Sequence, residues 1–580
     1  MSKKKPTKIR KKVVRKPAVK KQVFEKITEP LSLKTKILIG FLFALLAMGL
    51  YAPSYNYDFV YDDDAVIKEN RFVHEGINGL KDIWSESYFR GHNENMNVNA
   101  FRPVPLTTFA LEYQYAKLNS SPYHITQIIL YGLTGFFVFF FLSTLLYKYH
   151  PILPIAATLF FVVHPLHVEV VANIKSRDEL LGFLNYAIAA WLLLKYTDTR
   201  KYWALILSLL FYTIGLFSKE SVITTLAIIP AMLWFFRDLK LLKIGLYTLP
   251  YLVLASIFLL YRDSVIGDEY IQTSFFDNSL LEVKDTVREI PSLINVLGFY
   301  LYKTFIPHPL ISDYSFKTIP NVGWDSYKVY LTLFAYGILI WLLIRGILRK
   351  KIEAFAIFYY FATVSIFSNV LFPGFAVYND RFLYHPVLGI GLLLSWGIYQ
   401  LVKTKREGEE IKDFKSFIHL NWLPVLLILI ISSLAVFKLE NRLPDWENRY
   451  VLFEKDSKKT PNNARMRKNY GGSLSRQALA LQKENQEESK RLAQLAITEL
   501  ESALSIYEQS TGYIHLGNMY FLLRDYDRAG TAFEKALKNN DIEEARRIME
   551  REDQINQLQE KCKQTHIMRL NDGKCQMNSG

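Results

Sequence analysis

Three consecutive carboxylates stand in an apolar frame at "FVYDDDAVI", residues 59–67. Like charges side by side repel, so Asp62, Asp63 and Asp64 gain nothing as a purely structural run. In an extended segment successive side chains alternate faces, which sends Asp62 and Asp64 one way and Asp63 the other, whereas on a helix adjacent carboxylates fan out; either way one or two face the bundle interior. A carboxylate in a half-dry cleft is a good general base for a hydroxyl, and crowding by a second one raises its pKa. Asp64, just before "AVIKEN", also has the chemistry of a helix N-cap.

Three further segments bring charge next to apolar runs, where charge is costly and marks function by default. In "HPLHVEVVANIKSRDELL", residues 164–181, His164, His167 and Glu169 alternate with apolar residues. Their spacing suits either a metal site, with Asp63 as a further ligand and Mg or Mn as the ion, or the orienting of loops. Lys175 and Arg177 follow, and both suit phosphate oxygens, which Arg holds bidentately. In "FSKES", residues 217–221, Lys219 either pairs with Glu220 or offers a point charge to a lipid phosphate. In "VYNDRFLYHP", residues 377–386, Asp380 and Arg381 stand between two apolar runs, where Arg381 either clamps a lipid-linked phosphate or snorkels to head groups. Arg102 in "FRPVPLTTF", His124 and Asp313 add polar positions. No glycine-rich phosphate loop, GxSxG or HExxH occurs. The set therefore suits transfer from a lipid phosphate to a hydroxyl acceptor.

The elements that must position these residues are membrane helices. Half of the 580 residues are hydrophobic, and they cluster in runs such as "KILIGFLFALLAMGLY" and "WLPVLLILIISSLAVF". Runs of this length match the hydrocarbon thickness. The apolar pattern predicts about eleven spans, near 36–53, 124–147, 152–167, 179–195, 203–218, 221–236, 244–261, 328–346, 354–372, 383–402 and 421–437. The run "LINVLGFYLYKTF" from Leu293 fits no crossing and reads as a re-entrant or interfacial helix. Residues 1–22 hold eleven Lys or Arg and no acid, which reads as a cytoplasmic tail under the positive-inside rule and not as a nucleic-acid arm. The basic loops at Lys148, Lys195, Arg237, Arg345 and Lys403 then fall on the tail's side. The Asp run lies on the other side, in a first outer loop over residues 54–123.

Beyond Glu440 the apolar runs stop. "GYIHLGNMYFLLRDYDRAGTAFEKALKNN", residues 512–540, fits a tetratricopeptide repeat, with Tyr513, Leu516, Gly517 and Tyr520 on one helix and Ala529, Phe533 and Ala536 on the next. A second, degenerate unit is expected over 463–507, and a capping helix from Asp541. The domains are thus a basic tail over 1–35, a membrane domain over 36–437, and an outer repeat domain over 438–580. Cys562 and Cys575 are the two cysteines, close enough to the C-terminus for one disulfide on the outer side.

Seven stretches occur in order: "FVYDDDAVI", "FRPVPLTTFALEY", "YHITQ", "HPLHVEVVANIKSRDELL", "SKESVIT", "SNVLFPGFAVYNDRFLYHP" and "DWENRYVLFEKDSKKTPNNARMRKNYG". Together they resemble the transmembrane and tetratricopeptide-repeat O-mannosyltransferase-like proteins of the GT-C glycosyltransferase fold, relatives of the protein O-mannosyltransferases. The resemblance covers roughly residues 50–540. It implies an all-α polytopic membrane enzyme whose acidic motif, as catalytic base or acceptor-positioning group, falls on Asp62 and Asp63. It places the family's His-Pro-x-His-x-Glu stretch on His164, His167 and Glu169, and its Arg-to-Tyr motif on Arg381 and Tyr384, beside Asp380. It implies a polyprenyl-phosphate sugar as donor and Ser or Thr hydroxyls of exported proteins as acceptor, with Arg381, Lys219, Arg177, Lys175 and Arg102 toward the lipid phosphate. The repeat array is shorter than relatives often carry. The tail and the compact size suggest a bacterial inner membrane and an undecaprenyl carrier. A lipid or surface glycan as acceptor, and a non-catalytic membrane scaffold, stand as the alternatives.

Overall fold

A computed structural model describes residues 31–580 apart from 95, 269–272, 283–285, 317, 372–373, 404, 407–408, 411–413, 538–567, 572–573 and 578–580. Most of the basic tail, the helix expected from Asp541, and Cys562 with its expected disulfide lie outside the described residues. Among the described residues the regular structure is helical apart from two short antiparallel hairpins, Lys405–Arg406 with Glu409–Glu410 and Met568–Asn571 with Lys574–Met577.

In chain order the helices are α1 (Leu33–Tyr51), α2 (Pro103–Ala116), α3 (Ser120–Leu145), α4 (Ile152–Val162), α5 (Arg177–Thr199), α6 (Tyr202–Ser218), α7 (Thr225–Phe236), α8 (Leu241–Ile266), α9 (Thr286–Phe305), α10 (Tyr327–Ile347), α11 (Ile352–Val364), α12 (Pro386–Tyr399), α13 (Trp422–Arg442), α14 (Arg449–Lys459), α15 (Ala464–Leu481), α16 (Gln486–Ile506), α17 (Ser510–Leu522) and α18 (Tyr526–Leu537). Shorter helical turns join them. Several starts are written in the sequence: Ser32 caps α1, Pro103 opens α2, and Asn448, Asn463 and Asn485 cap α14, α15 and α16 through their side-chain oxygens.

The protein is a multi-pass membrane protein. Six helical segments among the described residues are long and apolar enough to cross a bilayer, and a seventh if α4 and the bent helix after it, Pro165–Ala172, make one span. Four of the eleven expected segments are shorter apolar helices: Tyr202–Ser218, Glu220–Phe236, Ile352–Val364 and Pro386–Tyr399. They fall below the roughly 20 residues that a bilayer core of about 30 Å asks of one straight helix. The run expected to be re-entrant or interfacial forms α9, which is not among the crossing helices.

Side-chain contacts sort the loops into two sets. At one end Arg237 binds Asp198 and the Thr144 carbonyl, Lys350 lies over the Trp234 ring, and the His150 N–H donates to Tyr399. At the other end, Asp63 meets Lys175, Arg102 meets Asp178 and Glu220, and Glu169 meets Arg381. Every basic loop expected on the tail's side and touched by these contacts falls in the first set. α5 runs through the middle, with each side chain from Arg177 to Leu194 buried except Trp191. Lipid-facing side chains such as Leu331, Phe334, Trp341 and Ile344 of α10 are exposed, as a hydrocarbon solvent permits.

The first loop is ordered by its own apolar cluster, which includes Phe59, Val66, Ile67, Phe72, Ile83, Leu106, Phe109, Tyr123 and Ile174. After α13 the chain forms helical hairpins, α15 on α16 and α17 on α18. Tyr513, Leu516, Gly517, Tyr520, Ala529, Phe533 and Ala536 are all buried where expected. A Cβ at Gly517 would lie 2.6 Å from the Phe533 ring, so this crossing needs glycine.

Candidate functional site

The three aspartates have three different surroundings. Tyr61 has φ of +52°, a left-handed conformation that costs a tyrosine roughly 1–2 kcal/mol, and it turns the chain sharply into the run. Asp63 is fully buried. Its Oδ2 accepts the Val60 N–H at 2.9 Å and its Oδ1 the Lys175 N–H at 2.7 Å. Burial pushes its carboxyl up to about 7, against the pull of those two N–H donors. Asp64 pairs with Arg449 and, at 3.5 Å, with Lys68. It opens the short turn Asp64–Lys68 as its first residue and does not cap it with its side chain. Asp62 is the one left open. Its side chain is 32% exposed, and its Oδ2 lies 4.0 Å from the Lys175 ammonium.

Below Asp62 lies a floor of buried charge. Asp178, at the start of α5, is its hub: Arg102 at 2.6 Å, Lys219 at 3.0 Å and Lys175 at 3.7 Å all reach its Oδ2. Arg102 also donates to Glu220 at 2.8 Å, and Lys219 reaches Glu179 at 2.9 Å. Lys219 and Glu220 thus pair with others and not with each other. Lys219 can lie against α5 because Gly182 stands opposite: a Cβ there would sit 3.0 Å from that of Lys219. The Lys175 ammonium has two carboxylates near it, at 3.7 and 4.0 Å, and no hydrogen bond shorter than those contacts among the described residues.

Arg381 joins this floor from the segment before α12. Its backbone N–H and Nη1 both donate to Glu169, at 3.0 and 2.7 Å, which makes Glu169 a clamp that orients the guanidinium. Asp380 faces away and accepts from Tyr314 at 2.9 Å and Tyr378 at 3.0 Å, with Lys303 at 3.4 Å. Tyr384 is buried against the rings of His167, Phe161 and Phe183.

Two expectations are corrected. Arg177 does not face the site with Lys175. It is fully buried, donates to Gln127, Thr108, Glu112 and the Tyr123 carbonyl at 3.0, 3.1, 2.6 and 2.9 Å, and lies over Phe109. The helical start at this point turns adjacent side chains apart, so Arg177 braces α2 and α3 and leaves no fork for a phosphate. Nor do Asp63, His167 and Glu169 converge as metal ligands. His167 bonds the Tyr131 hydroxyl at 2.9 Å inside a ring of aromatics, while Asp63 and Glu169 are engaged as described. Among the described residues no three His, Cys, Asp or Glu side chains gather at metal-binding distance. His164 caps the turn at Pro165, accepting the Leu166 N–H, and meets the Thr304 carbonyl at 3.1 Å.

Sequence reasoning missed Asp178 as the hub, Glu220 as the partner of Arg102, and Arg449 as the partner of Asp64. It also missed that Asp313 accepts from Asn463 at 3.1 Å and meets Arg465 at 3.4 Å, which joins the loop between α9 and α10 to α15. The one signal at hand for Asp178 was its place in a charged run at the mouth of an otherwise apolar helix.

Comparison with known proteins bears out the resemblance. The chain is similar to the human protein O-mannosyl-transferase TMTC3, at 24% identity over 449 residues, covering 72% of this chain and 47% of that one. It is similar to the Caenorhabditis elegans protein O-mannosyl-transferase F38B6.6, at 26% over 423 residues, covering 71% and 56%. It is also similar to the mouse protein O-mannosyl-transferase TMTC4, at 24% over 504 residues, covering 76% and 64%. The chain spans about half the length of the first of these relatives. No family model matches it.

Proposed function

Since the chain is related along most of its length to proteins named as protein O-mannosyl-transferases, we propose that it is a membrane glycosyltransferase of the GT-C type. It moves a sugar from a polyprenyl phosphate or pyrophosphate to Ser or Thr hydroxyls of exported proteins. The observation that carries this is the position of Asp62, the one open carboxylate of its run, across from Lys175 over a floor that also holds Arg381.

The reaction is an inverting displacement. Asp62 takes the proton of the acceptor hydroxyl as its oxygen attacks the anomeric carbon. The bond from that carbon to the carrier's phosphate oxygen breaks, and its electron pair leaves on the phosphate. Lys175 and Arg381 hold that developing charge, which is where preorganised cations accelerate a reaction most. Asp178 and Glu169 keep these two cations in place. Asp63 positions the run by fixing it to the Lys175 backbone, and Arg102 and Lys219 complete the floor around Asp178.

The chain crosses eleven times, through the six long apolar helices, the bent pair and the four shorter apolar helices, which sets the basic tail in the cytoplasm and the site outside. The basic residues of the expected cytoplasmic loops support this reading. The membrane is a bacterial inner membrane, and the outer hairpins are tetratricopeptide-type units that present the acceptor protein.

Replacing Asp62 with Asn tests the reading, since an amide keeps the shape and loses the base. The glycoproteins missing from a deletion strain should also be missing, or reduced by about 10²–10⁴-fold in rate of formation, in cells making Asp62→Asn at normal levels. Normal glycoprotein masses in those cells would overturn the role of Asp62. Normal masses in the deletion strain would overturn protein glycosylation itself.

A further inference from the structure

The segment that carries Asp62 is held from the far end of the chain. The Asp58 N–H donates to the Glu447 carbonyl at 2.9 Å. The Tyr61 ring packs edge-on against Phe453, with centroids 5.9 Å apart. Arg449 reaches Asp64 with Nη2, and both side chains are about four-fifths buried. Three successive fastenings thus come from one short stretch, the turn before α14 and its first two turns. On its other side the run is held by Asp63 on the Lys175 N–H, by Asp62 near the Lys175 ammonium and by Phe59 against the Tyr123 ring.

The stretch is itself rigid. Asn448 caps α14 by accepting the Val451 N–H at 3.0 Å. Asp456, fully buried on α14, accepts from both nitrogens of the Arg442 fork, at 2.6 and 2.9 Å, and from the Ser312 N–H at 2.7 Å. Bidentate, buried pairing of this kind fixes geometry as well as charge. α14 is therefore bolted to α13 behind it and to the outer loop at Ser312 beside it, while its first turns hold the acidic run.

We infer that α14 is a strut which sets the position of Asp62, with Arg449 as the positioning residue that transmits it through Asp64. This rests on the proposed role of Asp62. Neither Arg449 nor Asp64 meets the substrates. Their part is to keep the turn at Tyr61, which is strained, from relaxing and carrying Asp62 away from Lys175. A displacement of about 1 Å at a reacting group is enough to cost 10²-fold in rate. The strut also explains why the third aspartate is present at all: it is the handle by which the run is held.

The test uses the full chain in detergent or vesicles. With a polyprenyl-phosphate mannose and a Ser/Thr peptide, Arg449→Ala should lower kcat by about 10–100-fold with the KM for donor little changed. Arg449→Lys should recover part of the loss, and the double variant Asp64→Ala with Arg449→Ala should be no worse than the worse single one. Lys458→Ala, which removes a cation from the exposed face of the same helix, should leave turnover unchanged. Full turnover by Arg449→Ala, or additive losses in the double variant, would overturn the strut. A second readout does not depend on the reaction. Tryptic cleavage after Lys68 should speed up several-fold in Arg449→Ala at an unchanged unfolding midpoint. If wild type transfers no mannose, the donor is another sugar or, where the deletion strain also keeps normal glycoprotein masses, the functional reading fails; in both cases this cleavage alone decides the strut, and an unchanged rate overturns it.

Discussion

Asp178 and Glu488 each meet an arginine nitrogen at 2.6 Å, yet the two contacts have little in common. Asp178 is fully buried at the mouth of α5 and is shared by Arg102, Lys175 and Lys219. Glu488 lies on the first turn of α16 with Arg491 three residues on, the arginine well exposed and the glutamate partly so. Distance does not set the worth of an ion pair; surroundings do. Around Asp178 the charges are buried and depend on their partners, so removing one strands the rest. On the C-terminal hairpins water and salt can replace either partner.

The contrast is sharpest for Asp178. Asp178→Asn leaves three cations around one neutral amide, and should cost about 3–5 kcal/mol of stability, read by unfolding in detergent. A shift no larger than that of a surface variant would break the comparison. Asp63 should give a smaller effect that depends on pH. Its carboxyl is held near 7 in the folded protein against 3.8 when free, so between those values the folded state binds more protons than the unfolded one. Stability from this group is then fully present below about 4 and is lost as pH rises through about 7. The unfolding midpoint of wild type should fall from pH 5 to pH 8 more than that of Asp63→Asn; equal slopes would place the Asp63 carboxylate in water and not in the core. At the low end, Glu488→Gln should leave the midpoint where it is at any salt concentration. A clear loss there would show that the hairpins, too, depend on paired charge.

Much of this architecture was legible in the sequence, for a physical reason. Membrane helices must satisfy their backbone internally and face hydrocarbon, so "KILIGFLFALLAMGLY" or "WLPVLLILIISSLAVF" has few other fates. The buried faces of α17 and α18 were legible for a related reason: a glycine facing a phenylalanine states how closely two helices cross. Strand alternation along "YDDDA" does not describe the run: Asp63 has helical backbone, a helical turn starts at Asp64, and the three carboxylates fan out to separate partners. The floor was not legible. Arg177 and Lys175 look equivalent in "NIKSRDEL", but which of them meets Glu112 and which meets Asp178 depends on where α2 and α6 lie, tens of residues away. The Glu169 clamp on Arg381 joins residues 212 positions apart, and no local pattern announces it.

The bond between Asp64 and Arg449 spans 385 positions, and that span has a consequence for how the protein comes into being. A ribosome makes about 5–20 residues per second, so the acidic run waits roughly 20–80 s for its strut to be synthesised. Until the last membrane helix has been inserted and α14 has followed it, the run is tethered on one side only. With the strut inferred above, a nascent or truncated chain can carry Asp62, Lys175 and Arg381 and still lack the contact that sets Asp62 in place.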